Sequence, residues 1–394
     1  MSTQSAMSER STMSERSTMP KRSTKSKTVL VTGAAGFIGA NFVHYWLKKY
    51  PQDQIIALDA LTYAGNRANL NGLESHEQFS FVHGDICDQA LIETVLREKN
   101  VDTLVHFAAE SHVDRSILGP DAFIETNIIG TYSLLKAAKI VWLDEKEDFT
   151  HRFHHVSTDE VYGTLEMDEP PFTELTQYAP NSPYSASKAA SDHLVRAYHH
   201  TYGLNVTTSN CSNNYGPYHF PEKLIPLVIT NILFEKALPI YGDGQQIRDW
   251  LYVEDHARGI DGVIEKGIVG ETYNIGGINE WANIDIVKLV CGLMDESFTR
   301  RPELKEKFPE ALSAHKSASI ELIKYVTDRP GHDRRYAIDP KKATEVLGYS
   351  PVESFETGIA KTIEWFLDND DWWQDVLNGN YRNWVEEQYG DRLA

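Results

Sequence analysis

Two short stretches of the sequence carry the side chains best suited to chemistry. In HHVSTDEVYG, residues 154–163, a run typical of a buried strand leads directly into two neighbouring acids, Asp159 and Glu160. Burying an unpaired charge is costly, so acids are rarely placed beside a buried strand for stability alone. The pair is therefore a candidate for proton transfer. The alternative is that both acids cap the following turn or pair with surface lysines.

The second stretch, YSASK, places a tyrosine and a lysine four residues apart at the start of a predicted helix. Residues at this spacing share one helical face, so the Tyr184 phenol and the Lys188 ammonium converge. A nearby ammonium favours phenolate and lowers the tyrosine pKa toward neutrality, which suits a base that takes the proton of an alcohol during its oxidation. Taken alone the pattern is common, and a surface Tyr/Lys pair is the alternative.

A glycine-rich stretch near residue 33, TGAAGFIG, has the spacing of a dinucleotide-binding loop. Gly33, Gly36 and Gly39 follow the first predicted strand and open the first predicted helix. They allow a tight turn, a close approach of the backbone to a pyrophosphate, and close packing of helix on strand. Asp59 ends the second strand, where an acid binds the ribose hydroxyls and repels a 2′-phosphate. We therefore expect NAD rather than NADP; the alternative is a turn of small residues with nothing bound.

The elements that must position these residues alternate between strand and helix. Strand–helix–strand repeats are typical of a parallel sheet covered on both faces, and right-handed crossovers make it a doubly wound, Rossmann-type α/β sheet. Its ligand crevice lies at the carboxyl ends of the strands, where the two acids are found. The predicted strands are residues 28–33, 55–60, 79–85, 103–109 and 153–158.

The acid pair sets a geometric requirement on the fifth strand. Successive side chains of a strand point to opposite faces, so Asp159 and Glu160 could not both reach one substrate if the strand continued. We therefore predict that the strand ends by about Thr158 and that the chain turns there.

The chain divides into three predicted parts. Residues 28–205 form the NAD-binding Rossmann domain, and residues 206–394 form mainly a smaller, loop-rich lobe that binds substrate. Such lobes often return strands to the main sheet, so this boundary is soft. Residues 1–27 hold a repeated polar hexad (MSERST) without apolar periodicity and are predicted to be a disordered, low-complexity tail. A helix is predicted at FETGIAKTIEWFLDN, with a packing role.

Composition excludes several classes of protein. The 394 residues are 41% hydrophobic and 24% charged, as in ordinary globular proteins, and apolar runs are too short for a membrane span. The net charge of −19 disfavours nucleic-acid binding and means that small anionic ligands need local cations. Cys87, Cys211 and Cys291 are widely spaced, so we expect buried free thiols and a cytoplasmic protein.

Together these motifs resemble the extended short-chain dehydrogenase/reductase superfamily and, within it, the dTDP-glucose 4,6-dehydratase family. The resemblance runs in order across residues 28–340 and includes motifs outside the cofactor half, which makes it specific. The matching stretches are TGAAGFIGANF, LDALTYAGNRANL, AAESHVDRS, HHVSTDEVYG, SPYSASKAASD, SNCSNNYGP, PEKLIP, GDGQQIRDWLYVEDHARG and TDRPGHDRRYAID.

The resemblance implies a reaction in which bound NAD is regenerated. A hydride leaves sugar C4 while Tyr184 takes the 4-hydroxyl proton, water is eliminated across C5 and C6, and the hydride returns to C6. By resemblance Glu160 is the base at C5, Asp159 is the acid at the 6-oxygen, and Thr158 hydrogen-bonds the 4-hydroxyl. The acid must be protonated while the base is ionised, as like charges in one site allow. Homodimers are the habit of the family.

Position and resemblance together predict the binding residues. The predicted NAD contacts are Gly33, Gly36, Phe37, Ile38, Gly39, Asp59, Asp85, Ile86, Ala108, Ala109, Thr126, Tyr184, Lys188 and Asn214. The predicted dTDP-glucose contacts are Ser111, Thr158, Asn213, Glu222, Lys223, Leu224, Pro239, Ile240, Tyr241, Arg248, Asn283, Asp328, Arg329 and His332. We expect no metal, because His112, His154 and His155 lack the spacing of ligands and are better placed as core or crevice histidines.

Three other functions stay open on the sequence. A nucleotide-sugar 4-epimerase or decarboxylase shares the glycines and the Tyr/Lys pair but does not need the acids after the fifth strand. A 4,6-dehydratase for a UDP-, CDP- or GDP-sugar differs only in a few loop contacts to the base. A non-catalytic NAD-binding regulator would be favoured if the acids or the Tyr/Lys pair were missing, and all are present.

Overall fold

The computed structural model describes residues 26–328 and 332–378. Alternating strands and helices follow the order expected from the sequence. The strands are β1 Thr28–Thr32, β2 Gln54–Asp59, β3 Phe79–His83, β4 Thr103–His106, β5 Arg152–Thr158, β6 Val206–Cys211, β7 Asn213–Tyr215, β8 Leu238–Tyr241, β9 Ile247–Tyr252, β10 Thr272–Ile275, β11 Glu280–Ala282, β12 Ile323–Val326 and β13 Arg335–Tyr336.

The helices connect and cover these strands. They are α1 Phe37–Lys49, α2 Gln89–Glu98, α3 Val113–Leu118, α4 Asp121–Phe123, α5 Thr131–Ala138, α6 Pro183–Tyr202, α7 Leu224–Leu233, α8 Val253–Lys266, α9 Asn283–Arg300, α10 Glu303–Lys307, α11 Leu312–His315, α12 Lys341–Leu347, α13 Phe355–Asp368 and α14 Asp370–Asn378. Turns of π type at Ile124–Gly130 and Lys139–Glu145 make the chain from α4 to Glu145 one continuous helical stretch.

A seven-stranded parallel sheet is the centre of the described chain. Its strands run in the order β3-β2-β1-β4-β5-β6-β10, and every neighbouring pair is parallel. The predicted Rossmann-type fold is therefore confirmed. The strand order reverses between β1 and β4, so the loops that follow these two strands diverge and open a crevice at the carboxyl edge of the sheet.

Both faces of the sheet are covered, which explains the continuous apolar runs of its strands. Along β1, Leu30 packs into one buried cluster while Val29 and Val31 pack into another, as the two-residue period of a strand requires. The first cluster includes buried residues of α2, α5 and α6, and the second includes those of α1 and α8. The site is thus built on a rigid, two-sided core.

The residues after 205 contribute to both parts of the molecule. Strands β6 and β10 belong to the main sheet, whereas β7, β9, β11 and β13 form a small separate sheet and β8 pairs with β12. A second apolar core lies under these smaller sheets. Helix α13 supplies Phe355, Ile359 and Ile363 to this core, which confirms its predicted packing role.

The predicted disordered tail lies almost wholly outside the described residues, since residues 1–25 are not among them. The described chain starts from an anchored point. The Lys27 backbone N–H donates to Asp53 Oδ1 over 3.0 Å, and the Lys27 ammonium lies 3.7 Å from Glu265 Oε1.

Candidate active site

The glycine-rich loop is built for close approach. Gly33 has φ +67°, and a Cβ at this position would lie 2.6 Å from the backbone nitrogen of Ala108. A Cβ on Gly39 would lie 2.2 Å from the carbonyl oxygen of Gly33. Side chains are therefore excluded at both positions. Helix α1 begins just beyond Gly36, and no side chain caps it, which leaves the helix start suited to a phosphate group.

The acid at the end of β2 lies beside this loop. Asp59 is buried, and its Oδ2 accepts a hydrogen bond from the Ala35 backbone N–H at 2.9 Å while Oδ1 accepts one from the Leu61 N–H at 2.8 Å. Burial raises the pKa of the Asp59 carboxyl, and these backbone hydrogen bonds oppose the rise. A carboxylate fixed in this way suits ribose hydroxyls and repels a 2′-phosphate. The loop and Asp59 therefore fit NAD.

A single cleft of about 450 Å³ joins the glycine-rich loop to the end of β5. Every predicted NAD contact lines this cleft, and so do most of the predicted substrate contacts. Arg329 lies outside the described residues. Asp328 does not line the cleft; its Oδ1 lies 2.7 Å from Nδ1 of His332, which does.

Several residues of the cleft wall have no role among the sequence-based predictions. Those after β2 lie within the stretch LDALTYAGNRANL, which by itself assigns them no contact. Their position directly after the end of a strand is the feature that predicts a place on the cleft wall. Tyr336 lies on β13, which has only two residues and therefore shows no periodic pattern. Cleft residues missed in this way include Thr62, Tyr63, Ala64, Gly65, Glu110, Phe220, Trp250 and Tyr336.

The turn after β5 forms as the acid pair requires. Strand β5 ends at Thr158, and a single 3₁₀ turn follows at Asp159–Tyr162. The Thr158 side chain caps this turn, because its Oγ1 accepts a hydrogen bond from the Glu160 backbone N–H at 3.3 Å. The turn closes at Gly163, which has φ +95°. The predicted end of the strand is therefore confirmed, and Glu160 reaches the cleft wall.

Asp159 occupies a different environment from its neighbour. Its side chain is 1% exposed and does not line the cleft, whereas Glu160 is half-buried and does. Burial raises the pKa of the Asp159 carboxyl well above its usual value, and the charges of Glu160 and Asp249 raise it further. Its Oδ1 accepts a hydrogen bond from the Thr158 hydroxyl at 3.3 Å. The shift favours the protonated form of Asp159, and of the two acids only Glu160 reaches the cleft.

Tyr184 and Lys188 both line the cleft from the first turns of α6. The helix starts with a capping box between Ser182 and Ser185, which fixes the position of Tyr184 in its first turn. Both side chains therefore reach the same cleft, as their spacing predicts.

The predicted fall in the Tyr184 pKa is wrong for this structure. Burial raises the pKa of the phenol well above its usual value and the charge of Glu160 adds to the rise, while a hydrogen bond with the Thr158 side chain opposes it. The Lys188 ammonium donates to the Val156 carbonyl at 2.9 Å, and burial lowers its own pKa. Desolvation and a nearby carboxylate thus outweigh the effect expected of the lysine.

The substrate end of the cleft holds cations in fixed positions. Arg248 donates to the carbonyls of Ile247 and Asp333 at 2.7 and 3.0 Å, and its guanidinium lies 4.3 Å from the ring centroid of Tyr336. On the opposite wall, the Lys223 ammonium donates to the Ser111 carbonyl at 3.3 Å. Both side chains line the cleft and are candidates for binding a diphosphate.

Glu222 is a buried carboxyl in the same wall. Its Oε2 accepts a hydrogen bond from the Arg115 guanidinium at 3.3 Å, and the guanidinium lies 4.0 Å from the ring centroid of Tyr63. Burial raises the pKa of the Glu222 carboxyl, and the charges of Lys223 and Arg115 oppose the rise.

The histidines behave as core or crevice residues. His154 is buried between the hydroxyls of Thr207 and Ser209, at 3.0 and 3.1 Å, and His155 Nε2 lies 3.0 Å from Asp192 Oδ1. His112 caps α3, with its Nε2 3.8 Å from Glu222 Oε1. Among the described residues, no three ligand-type side chains form a group that could hold a metal ion.

The thiols differ slightly from expectation. Cys211 and Cys291 are buried and free, as predicted, but Cys87 is only half-buried. Within the described chain no helix combines the length and apolar character that a membrane span needs.

The fold and the site together define a class of protein. A doubly wound sheet with a glycine-rich loop, an acid after β2 and a Tyr/Lys pair on α6 is the arrangement of an NAD-dependent enzyme of the extended short-chain dehydrogenase/reductase superfamily. Residues 30–362 match the family model described as GDP-mannose 4,6 dehydratase. The chain belongs to this family and, by the comparisons that follow, to its dTDP-glucose 4,6-dehydratase members.

Relatives of high identity carry that assignment. A dTDP-glucose 4,6-dehydratase of Escherichia coli is 55% identical over 363 residues, which cover 90% of this chain and 97% of the relative. One from Xanthomonas campestris pv. campestris is 56% identical over 357 residues, with 90% and 97% covered. The resemblance predicted from the sequence motifs is therefore confirmed.

Solved structures separate the dehydratases from the epimerases. DesIV, a dTDP-glucose 4,6-dehydratase from Streptomyces venezuelae with NAD and TYD bound, has a TM-score of 0.79 and 45% identity, with 89% of this chain and 99% of that chain covered. A UDP-glucose 4-epimerase from Thermotoga maritima has a TM-score of 0.72 and 28% identity, with 86% and 99% covered. The folds are shared, and sequence identity favours the dehydratase.

The buried Asp159 carboxyl should lower the stability of the fold at neutral pH. Its pKa is raised in the folded protein, so it favours folding fully below its unfolded pKa, about 3.9, and that contribution is lost as the pH rises through the folded pKa. Asp159→Asn keeps the shape of the protonated acid and cannot ionise. We expect this variant to be more stable than the wild type by about 1–2 kcal/mol at pH 8, with a smaller gain at pH 5.

Urea unfolding at the two pH values measures this gain. Asp168→Asn, an exposed acid in the following loop, is the matched control and should change stability by less than about 0.5 kcal/mol at either pH. An equal gain for Asp159→Asn at pH 5 and pH 8 would contradict the raised pKa.

Proposed function

We propose that the protein is a dTDP-glucose 4,6-dehydratase that converts dTDP-glucose to dTDP-4-keto-6-deoxyglucose and water. The observation that carries this proposal is the acid pair on the turn after β5, with Glu160 on the cleft wall and Asp159 buried behind it, close to Tyr184. An epimerase needs no such pair. The high identity to curated dTDP-glucose 4,6-dehydratases supports the same substrate.

NAD is held by residues already placed in the cleft. The glycine-rich loop would hold the pyrophosphate, Asp59 would hold the adenosine ribose, and Asp85 and Ile86 would flank the adenine, since all of them line the cleft. Lys188 would hold the nicotinamide ribose. When bound, NAD accepts the hydride from sugar C4 and later returns it to C6, so the enzyme neither consumes nor needs to release it.

Tyr184 takes the proton of the 4-hydroxyl as that carbon is oxidised. The Thr158 side chain hydrogen-bonds the phenol and so stabilises the phenolate, and it is placed to contact the 4-hydroxyl as well. Lys188 lies one helical turn along α6 and contributes positive charge to the same site. The raised pKa of Tyr184 makes these two partners necessary for the phenolate to form.

The ketone at C4 then acidifies the hydrogen at C5. Glu160 removes this proton, the C5–H electrons form the C5–C6 double bond, and the C6–O bond breaks. Asp159 supplies the proton with which the 6-hydroxyl leaves as water. Burial raises the pKa of Asp159 and so favours its protonated form. Its Oδ2 is buried and has no hydrogen-bond partner among the described residues, so donation to the 6-oxygen requires the Asp159 side chain to turn toward the cleft when the sugar binds.

The nucleotide is held by local charge in an acidic protein. Arg248 and Lys223 supply the cations nearest the diphosphate. The remaining proposed dTDP-glucose contacts on the cleft wall are Ser111, Asn213, Glu222, Leu224, Pro239, Ile240, Tyr241, Asn283 and His332. Arg334, near the end of the DRPGHDRR stretch, forms an exposed ion pair with Asp243 at 3.0 Å, so we assign it no substrate contact.

We assign cofactor binding and substrate binding to different parts of the chain. Residues 28–205 form the cofactor domain, and residues 206–394 supply mainly the substrate lobe. Strands β6 and β10 of the second half still belong to the main sheet.

We further propose a cytoplasmic location, supported by the buried free thiols of Cys211 and Cys291.

Incubation with dTDP-glucose tests the substrate and the retained cofactor together. Because NAD is regenerated in each cycle, purified protein should form the 4-keto-6-deoxy product without added NAD. Parallel reactions with UDP-, CDP- and GDP-glucose, followed by chromatography of the nucleotide sugars, define the base that is accepted. Turnover of UDP-galactose without turnover of dTDP-glucose would reject the dehydratase in favour of an epimerase.

Glu160→Gln should separate the oxidation from the elimination. The variant keeps Tyr184, so mixing with dTDP-glucose should give reduced nicotinamide, seen by its absorbance, while release of product falls by at least about 100-fold. Glu166→Gln, an exposed residue of the next loop, is the matched control and should retain wild-type product formation. Loss of the reduced-nicotinamide signal in Glu160→Gln would show that Glu160 acts in the oxidation step instead.

We also propose that the protein is a homodimer. Large apolar side chains are exposed along α3 and the continuous helical stretch that begins with α4. They are Ile117, Leu118, Ile124, Ile129 and Tyr132, with exposed fractions between 41% and 72%. Apolar residues concentrated on one such face are typical of a protein–protein interface.

Ile129→Asp should convert the dimer to a monomer, because a carboxylate on this helical stretch would be desolvated on association. Light scattering after size-exclusion chromatography measures the mass directly. Ile268→Asp is the matched control, since Ile268 is 56% exposed on another part of the surface, and it should remain dimeric. A dimer that survives Ile129→Asp would place the interface elsewhere.

A further inference from the structure

The glycine-rich loop is hydrogen-bonded both to Asp59 in the cleft and to residues outside the cleft. The Ala35 backbone N–H donates to Asp59, whereas the Ala35 carbonyl accepts two hydrogen bonds, from the Asn66 backbone N–H at 3.0 Å and from Asn69 Nδ2 at 2.8 Å. Asn69 is only 2% exposed and does not line the cleft. It therefore fixes the shape of the loop without touching a ligand.

Asn69 is itself fixed by the C-terminal helix α14. The indole N–H of Trp372 donates to Asn69 Oδ1 at 2.7 Å, across more than three hundred residues of chain. An indole can only donate and a carbonyl can only accept, so Trp372 on one side and Ala35 on the other determine which way the Asn69 amide points. Removing the indole N–H would leave a buried acceptor unpaired and the amide free to rotate.

A second route joins the same tryptophan to the middle of α1, at His44. The Trp372 ring packs edge-on against Tyr218, with centroids 5.8 Å apart, and Tyr218 stacks on His44 of α1 at 5.9 Å. His44 Nε2 in turn donates to the backbone carbonyl of Asn69 at 2.9 Å. Both routes from α14 thus converge on Asn69 and α1, the elements that shape the pyrophosphate end of the cleft.

Trp373, the next residue of α14, packs within the second lobe. The Trp373 indole N–H donates to the Phe366 carbonyl at 2.8 Å, and its ring packs on Phe234 and Phe308 in the core of the second lobe. The Trp372 ring also packs against Trp365 and Phe366 of α13, so it is the Trp372 indole N–H that connects α14 to the first half of the molecule. Each indole N–H donates one hydrogen bond, and only that of Trp372 leads to the cofactor loop.

We propose that Trp372 is a positioning residue for the cofactor. Through Asn69 it holds the Ala35 carbonyl, and with it the glycine-rich loop, in the shape that binds the NAD pyrophosphate, and it thereby sets how long NAD stays bound. The inference rests on the proposed reaction, in which NAD returns to its starting state in every cycle. An enzyme of this kind gains from slow release of NAD, whereas one that exchanges its cofactor each turnover does not.

Trp372→Phe tests the contact, because it keeps an aromatic ring and removes only the donor. We expect the dissociation constant for NAD, measured by titration of NAD-free protein, to rise about 5–10-fold, which corresponds to the loss of one hydrogen bond. Exchange of bound NAD for labelled NAD should accelerate by a similar factor. The amount of NAD that remains with the protein after gel filtration gives a third measure.

Trp373→Phe is the matched control, since it removes the same kind of hydrogen bond from the same helix. This variant should melt at a lower temperature yet retain NAD as the wild type does. An Asn69→Ala variant closes a cycle: if Trp372 acts through Asn69, the Trp372→Phe change should have no further effect on NAD affinity in the Asn69→Ala background.

Each outcome decides the proposal. Wild-type retention of NAD in Trp372→Phe, equal loss in Trp372→Phe and Trp373→Phe, or additive effects of the Trp372 and Asn69 changes would each overturn it. Wild-type protein that carries no NAD would instead contradict the NAD-dependent reaction, so the two failures are distinguishable.

Discussion

The turn that follows Thr158 is the constraint on which the active site depends. A parallel strand presents its side chains to alternate faces, so the sheet by itself offers only one side chain in two to a ligand. By ending β5 at the carboxyl edge and capping the turn with the Thr158 hydroxyl, the chain brings two consecutive acids into different environments beside one cleft. The same hydroxyl contacts Tyr184, so one side chain both terminates the strand and links the two halves of the chemistry.

Burial is the dominant force on the protonation of this site. It raises the pKa of Asp159 and of Tyr184 and lowers that of Lys188, in each case more than any single charged neighbour does. In each of these groups burial shifts the pKa in the direction that disfavours the charged form. These groups have different pKa values in the folded and the unfolded protein. The free energy of unfolding therefore depends on pH.

Sequence patterns predicted the part of the molecule that periodicity governs. The starts of the first five strands, the helix that begins near Tyr184 and the end of β5 follow from apolar spacing and from one geometric argument. Strands β3 and β4 end at His83 and His106, earlier than the predicted residues 85 and 109, because the residues that follow belong to the loops that line the cleft. The Tyr184 pKa could not be predicted, because the sequence shows the spacing of a lysine but not the carbonyl that binds it or the degree of burial. The contact of Trp372 with Asn69 was equally out of reach, since no local pattern records which distant loop a C-terminal helix will touch.

The surroundings of Asp59 bear on how the preference for a dinucleotide could change during evolution. A Cβ at Gly65 would lie 2.6 Å from Asp59 Oδ1, so any larger residue there displaces the carboxylate. Replacement of the acid itself would leave the Ala35 and Leu61 N–H groups without their acceptor. A change to a cofactor with a 2′-phosphate therefore involves the neighbours of Asp59 as well as Asp59 itself. The preference for NAD during evolution thus depends on the residues around Asp59 as much as on Asp59 itself.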